Sequence, residues 1–237
     1  MTRFVLLMTQ DRTGFGSEGY GVAYMNRLEK AAGDDSDLDP SAESIKLDGA
    51  DEDCRQVLFV CTGNTCRSPM AEGIFNSLAK EAGPFVFHDC PTRDAKVFAT
   101  SAGIFASFGS PAAQNAVEAL RQLYGIDISG HRSRRVDETL LSSTHLILTM
   151  TQEHAMFLKA AFPPASGRVY DIFSYFENTN IPGEMVRELL KSPAGIPDPF
   201  GASLDEYIKT AQTLEHVLSA LMPYILENLG VMPISPI

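Results

Sequence analysis

The chain reads as an α/β protein built on a parallel sheet with helices on both faces. Three observations carry that reading. From residue 55 onward, short runs of β-type residues alternate with longer amphipathic stretches, as in a sheet with crossover helices. The first run, Val57-Leu58-Phe59-Val60, is apolar without alternation, which suits a strand buried on both faces. It leads through a loop containing Gly63 straight into a Ser68-Pro69 helix start.

The elements follow in order. Met70, Ile74, Phe75 and Leu78 share one side of the first helix, and Gly83-Pro84 ends it. Val97 to Thr100 reads as a second strand, and Ser110-Pro111 opens a helix running to about Tyr124. Leu146 to Leu148 is a third strand, Thr151 to Ala160 a helix, and Val169-Tyr170 part of a short fourth strand. Ser203 with Glu206 three positions later reads as a capping box. It starts the longest helix, whose apolar face is Ile208, Ala211, Leu214, Leu218 and Leu221. Pro223 is expected to kink or end that helix.

Before residue 55 the composition changes. Between Asp34 and Asp53 stand nine acids and one base, Lys46, a net of −8 out of −11 for the whole chain. A stretch that repels itself and lacks apolar anchors is expected to be disordered. Residues 1–54 are therefore read as an N-terminal extension with an acidic linker, and 55–237 as one domain. Within the extension, Phe4 to Met8 could form a strand and Val22 to Ala32 a short helix.

Composition narrows the function classes. The 237 residues are 44 % hydrophobic and 21 % charged, a globular balance. The pI near 4.9 argues against nucleic acid or an anionic membrane as partner, because both need clustered Lys and Arg. Cys54, Cys61, Cys66 and Cys90 form neither a C-x-x-C pair nor a zinc spacing, so no metal and no cofactor is expected. Four cysteines in a chain of this length are no disulfide framework. With no signal-peptide core and no apolar span, the expectation is a soluble, cytoplasmic protein.

The chemistry concentrates in Cys61-Thr62-Gly63-Asn64-Thr65-Cys66-Arg67-Ser68-Pro69. A curled loop of backbone N–H groups is a nest for an anion, and a helix N-terminus adds positive potential there. Arg67 completes the cradle with a planar fork matched to phosphate oxygens. The same field favours a thiolate over a thiol, and Ser68 is placed to hydrogen-bond the Cys61 sulfur. A leaving group needs a proton, and Asp198, stiffened between Pro197 and Pro199, is the candidate acid. Taken singly, Cys61 could be a packing residue, Arg67 a surface charge and the Asp198 segment an ordinary turn.

The string VLFVCTGNTCRSPMAE, Val57 to Glu72, resembles the signature of the low-molecular-weight protein tyrosine phosphatases. The resemblance extends through Thr100-Ser101-Ala102-Gly103, His131-Arg132-Ser133-Arg134, Leu146 to Met150 and Asp198-Pro199-Phe200-Gly201, and covers roughly residues 55 to 228. It implies a four-stranded parallel sheet flanked by helices. It implies Cys61 as nucleophile through a phosphocysteine intermediate, Arg67 as phosphate-binding arginine, and Asp198 as general acid and then base. Thr62, Gly63, Asn64, Thr65, Cys66, Arg67 and Ser68 would surround the phosphate, with Ser101 and His131 supporting the loop. Cys66 matches a second cysteine that can form a disulfide with the nucleophile and protect it reversibly.

Two positions bear on substrate. Thr65 stands where the eukaryotic tyrosine phosphatases of the family usually have an aliphatic residue, and Phe200 where they usually have tyrosine. Both, with the string Ser101 to Ser107, resemble the bacterial protein-arginine phosphatases. The implied partner is a phosphorylated protein, with phosphoarginine ahead of phosphotyrosine. Arsenate reduction is a weaker alternative, since Cys90 is the only relay candidate beyond the loop. A non-catalytic module that binds a phosphorylated residue is another, and the intact Cys61, Arg67 and Asp198 weigh against it. Oligomeric state is not legible.

Overall fold

A computed structural model describes residues 52–177 and 195–234. The expected disorder of the acidic stretch, the strand at Phe4 to Met8 and the helix at Val22 to Ala32 fall outside the described residues. Glu52 and Asp53, the last acids of that stretch, are described. Arg93 donates from Nε to Asp53 Oδ1 at 2.5 Å, and Lys96 N donates to Asp53 O at 2.8 Å.

The strands are β1 (Cys54–Cys61), β2 (Phe85–Phe87), β3 (Asp94–Gly103), β4 (Leu146–Thr149), β5 (Val169–Asp171) and β6 (Val231–Pro233). The helices are α1 (Arg67–Ala82), α2 (Gln114–Tyr124), α3 (Glu138–Ser142), α4 (Gln152–Ala161), α5 (Ile172–Glu177) and α6 (Leu204–Asn228). The sheet is mixed, in the order β5-β4-β1-β3-β2-β6, so among the described residues it has six strands rather than the expected four. The pairs β1–β3, β1–β4 and β4–β5 are parallel, while β2 runs antiparallel to both β3 and β6.

Strand alternation sorts the core into two layers. Val57 and Phe59 of β1 join Met70, Ile74 and Phe75 of α1, Leu120 of α2 and Leu214, Leu218 and Leu221 of α6 in one buried cluster. Leu58 and Val60, offset by one residue, are fully buried outside that cluster. On the sheet's β4–β5 side α4 packs, with Ala155, Phe157 and Leu158 buried.

Three local expectations are corrected. Ser110-Pro111 does not open α2, which starts at Gln114; Pro111 instead forms an isolated bridge with Arg132. Ser203 is the N-cap of α6, but its side chain makes no cap bond, and Glu206 turns to Lys209 at 2.6 Å. Pro223 neither ends nor bounds α6, which runs on to Asn228. The proline ring faces solvent, while Leu221, Met222, Ile225 and Leu226 around it are buried and hold the helix together.

Candidate active site

The site lies beyond the carboxyl end of β1, the central strand, where an open α/β sheet places its ligands. Cys61 is the last residue of β1 and Arg67 the first of α1, so the loop between them spans the step from strand to helix. Its tight curl needs a left-handed residue, and Asn64 supplies it at φ 55°. It also needs an absent side chain opposite. A Cβ on Gly103, at the end of β3, would stand 2.7 Å from Thr62 O and 2.8 Å from Asn64 N.

The Cys61 sulfur is buried at the loop's base. Asn64 N donates to it at 3.2 Å, and the Ser68 hydroxyl lies 3.0 Å away. That hydroxyl has one hydrogen and two acceptors in reach, the sulfur and Ala102 O at 3.3 Å. Given to Ala102, it leaves the sulfur free to donate as a thiol. Given to the sulfur, it serves a thiolate.

Asn64 ties the loop to its surroundings. Its Nδ2 donates to Ser68 Oγ at 3.0 Å and Ser101 Oγ at 2.8 Å, and its Oδ1 accepts from Arg134 N at 2.9 Å. His131 donates from Nε2 to Asn64 O at 2.8 Å. Ser101 in turn donates to Glu72 Oε2 at 2.6 Å. Ser101 and His131 thus both bond to Asn64 of the loop and do not line the cavity. The side chains of Asn64 and Ser68 belong to the same inner network rather than to the cavity wall.

In front of the loop is a cavity of about 190 Å³. Cys61, Thr62, Gly63, Thr65, Cys66 and Arg67 form its floor and sides, and Asp198 and Phe200 close it from the other side. Among the described residues, no backbone carbonyl takes the N–H groups of Gly63, Thr65 or Cys66. They are left for an anion, at the positive end of α1.

Arg67 is buried, and one of its groups has no partner. Nη1 donates to Ile196 O at 3.2 Å, Nη2 to Asp198 Oδ2 at 2.5 Å, and Nε to nothing among the described residues. A buried, orphaned guanidinium N–H beside a cavity is a group waiting for an acceptor. Asp198 is brought here from 131 positions away. Its segment is anchored by Ile196 N donating to Met150 O at 2.9 Å. Gly195, at φ 92°, lets the chain pass Met150 O, which a Cβ would approach to 2.5 Å. Phe200 N donates to Asp198 Oδ1 at 3.2 Å, and the Phe200 ring is exposed at the rim.

Cys66 lines the cavity and also reaches α6. Its sulfur lies 3.2 Å from Tyr207 Oη of α6, and burial pushes its thiol up. Burial pushes the Tyr207 phenol up as well. Cys61 and Cys66 are both free thiols. Cys90 lies between β2 and β3, with Thr92 Oγ1 at 3.7 Å, and does not line the cavity. Among the described residues no group of three His, Cys, Asp or Glu is placed to hold a metal ion.

Sequence reading missed three contributors. Glu72 backs Ser101, Tyr207 meets Cys66, and His154 of α4 lies 2.9 Å from Thr62 Oγ1. Glu72 closes the signature string but its partner Ser101 is 29 positions on, and Tyr207 and His154 meet the loop across 141 and 92 positions.

A sulfur at the foot of an anion-binding loop, with an arginine on the loop and a carboxylate facing it, defines the class of phosphatases that work through cysteine. The chain belongs to the low molecular weight phosphotyrosine protein phosphatase family, whose sequence profile matches residues 56–230. It is 35 % identical over 165 residues to the protein-arginine-phosphatase of Bacillus subtilis, covering 70 % of this chain and 93 % of that one. It is 30 % identical over 171 residues to the probable low molecular weight protein-tyrosine-phosphatase EpsP of Ralstonia nicotianae, covering 72 % and 96 %. Among solved structures, a mutant of the YwlE arginine phosphatase with a phosphorylated active-site serine superimposes with a TM-score of 0.58. That pair is 33 % identical and covers 73 % of this chain and 95 % of the other. The protein is accordingly a phosphatase, a hydrolase of the low-molecular-weight kind.

Proposed function

We propose that this protein hydrolyses phosphoarginine in proteins through a phosphocysteine intermediate on Cys61. One observation carries the mechanism: Cys61, Arg67 and Asp198 line one cavity, and the buried Arg67 Nε has no partner among the described residues. The phosphoryl oxygens bind the free loop N–H groups and Arg67. The Cys61 sulfur attacks phosphorus, and the bond to the leaving nitrogen breaks. Asp198 gives that nitrogen its proton, then takes one from the water that attacks the phosphocysteine. Arg67 gathers the charge that spreads over the oxygens in both steps. Asn64, Ser68, Ser101 and His131 hold the loop in the shape that this needs. A reducing compartment such as the cytoplasm suits it, because the cycle needs an unoxidised sulfur and returns it when water cleaves the phosphocysteine; no helix among the described residues is long and apolar enough to cross a membrane.

Thr65 supports the choice of phosphoarginine. It lines the cavity and carries a hydroxyl able to hydrogen-bond a polar guanidinium or the attacking water. Phe200 at the rim offers an apolar face on which a planar guanidinium can stack. The likeness to the Bacillus protein-arginine-phosphatase points the same way. The likeness to EpsP keeps phosphotyrosine as the second reading.

The test compares kcat/KM on a phosphoarginine peptide and a phosphotyrosine peptide, with Cys61→Ser as the blank. The expected result is a preference for phosphoarginine that Thr65→Ile erodes. Cys61→Ser should fold and turn over nothing. Preference for phosphotyrosine would keep the mechanism and discard the substrate, whereas turnover by Cys61→Ser would discard the mechanism.

A further inference from the structure

One buried titratable side chain touches the loop without a role in the reaction as described. His154 is the third residue of α4 and is 9 % exposed. Its Nε2 lies 2.9 Å from Thr62 Oγ1 and its Nδ1 lies 3.0 Å from Thr151 Oγ1. Thr62 Oγ1 also accepts from Arg67 Nη2 at 3.5 Å. Thr151 Oγ1 also accepts from His154 N at 3.5 Å, and the Thr151 side chain is the main cause that holds the neighbouring Glu153 carboxyl below its usual range.

A guanidinium only donates, so Thr62 Oγ1 accepts from Arg67 and keeps its one hydrogen to give. Nε2 is within reach of that hydrogen, and the ring tautomer that takes it carries its proton on Nδ1, facing Thr151 Oγ1. Burial, with the Arg67 charge as the next cause, pushes His154 down to about 4, so near neutral pH the ring carries no charge and Nε2 can accept.

We propose that His154 is a positioning residue: its bare Nε2 takes the Thr62 hydroxyl proton and so turns Thr62 Oγ1 into a fixed acceptor for Arg67. The inference rests on the reading of Arg67 as the phosphate-binding arginine. Its use appears when Asp198 is busy. In the empty site Asp198 is the closer partner of Nη2, at 2.5 Å against 3.5 Å for Thr62. Once the carboxyl turns to a leaving group, Thr62 is the side-chain partner that stays. The guanidinium then keeps its place while Nε meets phosphate.

The experiment uses the full chain and two readouts. Calorimetry measures the Kd of inorganic phosphate, and ring 15N shifts report the tautomer of His154. His154→Leu should raise that Kd about tenfold, the worth of one hydrogen bond to a charged group. His154→Gln, whose Oε1 can accept the same proton, should stay within about threefold of the parent, a loss below one full bond. Thr62→Val should match His154→Leu, and combining the two should add nothing. The parent should show Nδ1–H and bare Nε2.

A folded His154→Leu protein with the parent's phosphate Kd would overturn the proposal, as would a ring protonated on Nε2. Should His154→Leu fail to fold, Thr62→Val and the tautomer decide the matter alone. A parent that binds phosphate and shows the expected shifts, yet hydrolyses no phosphopeptide, overturns the functional reading and leaves His154 its role. A parent that binds no phosphate overturns both.

Discussion

At Asp198 two duties meet in one carboxyl group. In the empty site it neutralises Arg67 across 2.5 Å, and during turnover it has to serve the leaving group. A phosphate must therefore displace it before the guanidinium is fully available, which lowers the apparent affinity by the fraction of sites still paired. Asp198→Asn should separate the two duties. Turnover should fall about 10²- to 10⁴-fold, the usual range for a lost general acid. Inorganic phosphate should meanwhile bind more tightly, because the competing charge is gone. Steady-state kinetics and a phosphate titration of the same variant check both halves, and an unchanged rate would remove Asp198 from the mechanism. Cys61 and Arg67 stood out as candidates only as parts of a strand–loop–helix unit, and Asp198 mainly through the family resemblance. His154 did not stand out, since a histidine on a helix reads as an ordinary residue until 92 positions of chain bring it to Thr62.

The unit of β1, the loop and α1 was readable because its signals are all local. An unbroken apolar run, a loop with Gly63 and an early proline need no partner to be interpreted. The ends of other elements were not. The capping-box reading of Ser203 and Glu206 lost to a surface pair between Glu206 and Lys209. The start assigned at Ser110-Pro111 lost to a bridge with Arg132, a contact that only the fold creates. Gly103 shows how closely two elements must approach at the site. The end of β3 runs against the loop with no room for a methyl group, and both near atoms are backbone atoms that cannot swing aside. Gly103→Ala should cost about 1–3 kcal/mol of stability through overpacking. It should also lower kcat/KM, because the shift falls on Thr62 and Asn64. Denaturant melts and kinetics on the same preparation test this, and parental values in both would show that the loop is softer than its packing suggests.

Across the whole molecule, the parallel part of the sheet was legible and the antiparallel part was not. Strands β2 and β6 have three residues each, and one contains Pro233, so neither shows a period that sequence reading can detect. Global stability should carry a signature of His154. Its ordinary value of 6.5 falls to about 4 in the fold, by burial first and by Arg67 second, with Glu153 and Asp198 opposing. Between those values the unfolded chain binds the proton and the folded chain does not. Stability should therefore fall as pH drops from 6.5 to 4 and then level off, by on the order of 2–3 kcal/mol from this group. His154→Gln should flatten that part of the curve, and equal slopes in parent and variant would contradict it. The six-stranded order also decides what the sheet shows to other chains. Among the described residues its two outer margins are β5 and β6, three residues each, and one carries a proline that has no N–H to offer. A long, flat margin would be a template for chain-to-chain pairing and fibril growth. Here each described margin offers a neighbouring chain no more than three residues of backbone, and one of them is a strand that the sequence hides.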